Sequence, residues 1–124
     1  MSARLFVSAL SALSLCACAD PLLYDEDVAL LGLERHEHCT LMWQGQEISV
    51  FFDASAEVAF DVHHHPQGDG SLDTAVFLVA PERLSGKTAL TFPVASTGEV
   101  CLHWRNEGLQ ALRLRFGLTY SAPP

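Results

Sequence analysis

From His38 to Tyr120 apolar residues return at every second position, and this rhythm constrains the fold more than anything else in the chain. The stretch "EISVFFD" (47–53) sets Ile48, Val50 and Phe52 on one side, and "AEVAFDVHHH" (56–65) does the same with Val58, Phe60 and Val62. "HCTLMW" (38–43), "KTALTFPV" (87–94), "GEVCLHWRN" (98–106) and "LQALRLRFGLTY" (109–120) continue the run of strands, "LDTAVFLVAP" (72–81) is nearly continuous apolar, and turn residues such as "QGQ" stand between runs. A period of two belongs to a strand with one buried face. Such runs at short spacing predict an all-β chain, an antiparallel β-sandwich or barrel, read as a single sandwich of about seven to eight strands. No window carries a helical period. A chain of 124 residues suits one domain with one modest core.

The first twenty residues are different in kind. "MSARLFVSALSALSLCAC" has one basic residue, Arg4, then an uncharged apolar run up to Asp20. It is short of the ~20 apolar residues that span a bilayer, so it reads as a secretory signal. "LCAC" (15–18) resembles the bacterial lipobox. That resemblance implies cleavage after residue 17, a lipid on Cys18, and, with Ala19 following, an outer-membrane protein facing the periplasm. Cys16 fits the pattern less well because bulky Leu15 precedes it. Residues 18–35 then form a lipid-anchored N-terminus and spacer, with Pro21 and "DED" arguing for loose chain. In "VALLGL" (28–33) Gly32 leaves a first strand and a helical turn both open. The domain covers 36–120 and the tail 121–124.

Export decides how the remaining cysteines read. Cys39 and Cys101 would meet an oxidising compartment and have one possible pairing, so a disulfide is expected, with thiolate metal ligands as the alternative. The net charge of −8 excludes nucleic-acid binding, which needs basic clusters, and repels anionic lipid surfaces. The membrane is therefore a partner through the lipid alone, and an envelope protein is the other partner to expect. Nothing points to an enzyme. There is no G-x-S-x-G, no H-E-x-x-H and no phosphate loop.

The segment from His38 to Leu118 resembles the GOLD domain, a β-sandwich of lumenal cargo receptors and some bacterial proteins. "VAFDV" (58–62), Gly98, "CLHWRN" ending in Asn106, and "LRLRF" (112–116) carry the resemblance. It implies a GOLD-like sandwich with a cysteine pair bracketing the domain. His103 stands where the receptor cysteine usually does, two residues beyond Cys101.

Six histidines are many for this length, and His63, His64 and His65 are consecutive. Alternation puts His64 with Val58, Phe60 and Val62 on the core face. Asp61, His63 and His65 share the outer face, with Cα atoms at i and i+2 roughly 6.5–7 Å apart. If "GEVCLHWRN" neighbours this strand, His103 joins them. Three imidazoles with Asp61 or water suit Zn or Cu. His36 and His38 in "HEHC" form a second, weaker pair. A solvated polar face, a partner surface and a pH-responsive cluster all fit the same residues. Trp43 and Trp104 are expected in the core, and Asn106 in a turn.

Overall fold

The structure is a computed structural model that describes residues 22–67 and 75–124. The signal segment, Cys16, Cys18 and residues 68–74 lie outside the described residues. Every regular element among the described residues is a strand: β1 Leu22–Leu30, β2 Arg35–Met42, β3 Glu47–Pro66, β4 Val76–Pro93, β5 Gly98–Arg105 and β6 Leu112–Tyr120. All pairings are antiparallel, as the alternation implies.

β3 is the spine. β4 runs along one of its edges, and the other edge is shared in sequence by β6 (Ile48–Ala54) and β5 (Ala59–Pro66). β1 then pairs with β6, and β2 with β5. This sheet curls into a half-barrel. The bend sits at the middle of β3, where Ser55, Ala56 and Glu57 stand against the single residue Ser85 of β4. Unpaired residues of this kind increase local bend and twist. On the β4 side Gly86 takes a φ of 69°, which a glycine adopts at no steric cost.

The bend corrects the strand count. Two expected pairs of strands are continuous here, so six strands replace seven to eight. "DASAE" has no residue that forces a turn, and Pro81 is accommodated because β4 lies at an edge, pairing with β3 alone. Within the 18–35 stretch, where "VALLGL" left a first strand open, β1 occupies Leu22–Leu30. Its acidic residues alternate to match the basic ones of β6. Asp27 accepts from Arg113 at 2.8 Å and Asp25 from Arg115 at 3.2 Å, while Val28 and Leu30 face inward.

The core gathers on Trp104, which is fully buried. Its ring lies 4.4 Å from Phe116 on β6, 5.2 Å from Phe60 and 5.9 Å from Phe52 on β3, centroid to centroid. Side chains from both ends of the spine thus share one core. Trp43, expected inside, is half exposed in the β2–β3 turn. Asn106 serves its turn and more. Its side-chain oxygen accepts from the Gly108 N–H at 3.0 Å. Its Nδ2 donates to the carbonyls of Leu30 (3.2 Å), Leu31 (3.0 Å) and Gln110 (2.8 Å). One amide therefore ties the 106–110 turn to the end of β1.

His64 is buried beside the core, as its parity predicts. Burial holds its pKa below the ordinary imidazole value of 6.5, and the same cause lowers that of His38. The folded state then binds protons more weakly than the unfolded chain. As pH falls through 6.5, the unfolded chain takes up protons that the native one refuses, so stability is lost on acidification. His64→Gln is expected to flatten the decline of Tm between about pH 7 and pH 5, leaving the slope due to His38. An unchanged slope would show that His64 does not carry it.

Candidate metal centre

Antiparallel registry places three outward rows of side chains across β3, β5 and β2. Asp61 lies opposite His103, which lies opposite Glu37. His63 lies opposite Cys101, which lies opposite Cys39. His65 lies opposite Glu99, which lies opposite Leu41. Directly opposed residues on one face have Cβ atoms about 4.5–5.5 Å apart, so each row is a line of neighbours. The close backbone approach at the end of this face needs Gly98, where a Cβ would collide with the His65 carbonyl oxygen.

Asp61 organises the first rows. Its Oδ1 is 3.1 Å from Nδ1 of His63, and its Oδ2 is 2.8 Å from Nδ1 of His103. A carboxylate only accepts, so both Nδ1 atoms carry the proton and donate. A neutral imidazole protonated at Nδ1 has a bare Nε2. Both rings are therefore fixed in the tautomer and orientation that metal-ligating histidines receive from a carboxylate behind them. Asp61 is itself largely buried, and two N–H donors offset the desolvation of its charge. The carboxylate stands behind the imidazoles as an orienter, whereas the sequence offered it as a ligand.

The rings of His63 and His65 meet edge to face at 5.2 Å, and those of His63 and His103 at 6.2 Å. Potential ligand atoms of His63, His65 and Cys101 lie within 4.8 Å of one another. The buried Nδ1 of His65 has no hydrogen-bond partner among the described residues. Nε2 of His63 faces Oε1 of Glu37 at 3.9 Å. That gap is too long for a hydrogen bond. Two donors at about 2.0–2.2 Å from a shared Zn²⁺ would be separated by nearly as much.

Four of the sequence candidates thus share one face: Asp61, His63, His65 and His103. The pair His36 and His38 does not join them. They point inward, at positions opposite Trp104 and Leu102. His36 packs 5.4 Å from the Phe116 ring, with its Nε2 3.7 Å from Glu26, and His38 lies 4.2 Å from the Tyr24 ring. These contacts bridge β1 and β2, which share no ladder. The alternation that turns His36 and His38 inward turns Glu37 outward, so "HEHC" supplies a carboxylate to the outer face. Sequence reading missed Glu37, because its place depends on which strand pairs with β5.

Cys39 and Cys101 form a disulfide between directly opposed positions of β2 and β5. It lies at the middle of the three rows, with Cys101 fully buried. No protein-family model and no curated protein matches the chain.

Proposed function

We propose that this chain is a non-enzymatic, lipid-anchored protein of the bacterial envelope, held at the outer membrane and facing the periplasm. Its GOLD-like β-sandwich acts as a binding module that takes one Zn²⁺ or Cu²⁺ ion on the outer face of β3 and β5. The anchor reading rests on "LCAC" ahead of Ala19. The sandwich reading is supported by the curl of the sheet and by the packing of Trp104 against both β3 and β6.

One observation carries the metal reading: a single carboxylate, Asp61, holds two imidazoles by their Nδ1 atoms on the face where His63 and His65 meet. Borderline ions such as Zn²⁺ and Cu²⁺ prefer imidazole nitrogen, and the nearby Glu37 adds a charged oxygen. Calorimetric titration of either ion into the oxidised protein is expected to give one site of submicromolar affinity. The double substitution His63→Ala, His65→Ala removes it. Asp61→Asn, which keeps the shape but not the charge, weakens it by roughly 10- to 100-fold. A flat trace, or a site indifferent to these substitutions, refutes the reading.

A second reading is favoured by different residues. Leu41, at the end of the third row, and Trp43, in the turn beyond it, are both about half exposed. On an edge strand such residues suit a protein partner. A metal-free protein that crosslinks through this edge in the intact envelope would support that alternative.

A further inference from the structure

The disulfide at the middle of the candidate centre has a second chemistry. We infer that reduction of Cys39–Cys101 converts the outer face into a four-donor Zn²⁺ site, two thiolates from Cys39 and Cys101 with two imidazoles from His63 and His65. The inference rests on the outer-face donors of the proposed binding module and extends them to a redox-gated site.

Registry supplies the argument. Cys101 is flanked on its own row by His63 on β3 and by Cys39 on β2, with His65 one row away. The Cys101 sulfur already lies within 4.8 Å of a ring nitrogen of both histidines, and the Cys39 sulfur is bonded to it. In a tetrahedral Zn²⁺ site with Zn–S of about 2.3 Å and Zn–N of about 2.0 Å, donors sit roughly 3.3–3.8 Å apart. His63, His65 and Cys101 already cluster, so their donors need only small shifts, whereas the Cys39 sulfur groups with Glu37 and Cys101 and must swing across Cys101 toward the rings once the bond is broken. Nitrogen and thiolate in equal number are the donor set of closed zinc sites. While the sulfurs are joined they are poor donors, so the bond itself decides which site exists.

A dithiol reductant gives two electrons and two protons to the Cys39–Cys101 bond and is left as its own disulfide. The S–S bond breaks and two thiols form. Zn²⁺ then displaces the two thiol protons to solvent as two Zn–S bonds form. Reoxidation reverses the sequence and releases the ion. Bound metal should therefore protect the thiols from oxidation.

Co²⁺ is the spectroscopic probe, and Zn²⁺ the competitor, on purified protein in both redox states. The reduced protein is expected to show an intense visible tetrahedral spectrum and a near-ultraviolet thiolate-to-cobalt band, both abolished by one equivalent of Zn²⁺. It should bind Zn²⁺ about 100-fold more tightly than the oxidised protein, and the ion should slow reoxidation about 10-fold. His63→Ala with His65→Ala should reduce that gain while leaving the thiolate band. Cys39→Ala, which frees Cys101 without any reductant, should keep a weaker band from the three donors that already cluster. If reduction unfolds the chain, Zn²⁺ should restore the β-sheet circular dichroism. A reduced protein with no thiolate band, no gain in affinity, or histidine variants indistinguishable from the parent overturns the inference. So does a reduced, unfolded chain that Zn²⁺ does not refold. Binding confined to the oxidised protein sinks this inference alone. An oxidised protein that binds no metal sinks the reading above it while leaving the reduced site measurable.

Discussion

Asn106→Asp is expected to lower the unfolding free energy by about 4 kcal/mol, far beyond an ordinary polar exchange. Asn106 is almost wholly buried, and its Nδ2 is shared among the carbonyls of Leu30, Leu31 and Gln110. An aspartate has the same shape but no N–H. Three carbonyl oxygens would then face a desolvated carboxylate that can only accept, adding repulsion to the lost bonds. Thermal unfolding by circular dichroism reads the effect directly. For a domain of this size each kcal/mol moves Tm by about 4–8 °C, so a drop near 20 °C is expected. A drop of only a few degrees would mean that the amide does not tie the 106–110 turn to β1 in solution.

The second large effect belongs to the disulfide. Cys39→Ala together with Cys101→Ala is expected to destabilise the protein by about 4 kcal/mol, because the bond closes a separation of 62 residues and restricts the unfolded chain. The loss should come without a change of fold, since β2 and β5 remain paired along eight residue positions of which the cysteines are one. Denaturant unfolding checks this: the midpoint should fall while the far-ultraviolet spectrum stays that of a β-sheet. An unfolding free energy within about 0.5 kcal/mol of the parent's would mean that the unfolded chain is already restricted without the bond.

What the sequence disclosed, and what it hid, follow from the range over which each signal acts. Alternation is local, so it placed His64 inward and His63 and His65 outward. The same parity put His103 on the outer face of its strand. Pairing is non-local. That β5 lies beside β3 was an assumption at the sequence level, and the registry Asp61 to His103 emerges only with the fold. β1 was only partly legible, for a similar reason. "LLYDEDVAL" reads as acidic spacer until Arg113 and Arg115, 86 and 90 residues from their partners, supply the complement. The continuity of β3 was hidden because three unpaired residues bend a strand without any glycine or proline to mark the place. Glu37 combines both difficulties. Its parity was legible, but its distance from His63 required the β3–β5–β2 order.

The inward histidines show how much context decides. His36 and His38 have the same i, i+2 spacing as His63 and His65. One pair lines the core and spans β1 and β2 through ring contacts, and the other lies on a face backed by a carboxylate. Spacing gives proximity in both cases, and only the second combines it with an oriented ring whose Nε2 is free to bind.

The tautomers of His63 and His103 are the most direct test of the central claim, that Asp61 presents bare Nε2 atoms on the outer face. Long-range ¹H–¹⁵N correlation spectroscopy of the imidazoles reads them in the metal-free, oxidised protein. Both rings are predicted to be protonated at Nδ1 and bare at Nε2, and addition of Zn²⁺ should shift the Nε2 resonance of His63 while leaving its Nδ1–H in place. Rings protonated at Nε2, or resonances that Zn²⁺ does not move, would contradict it.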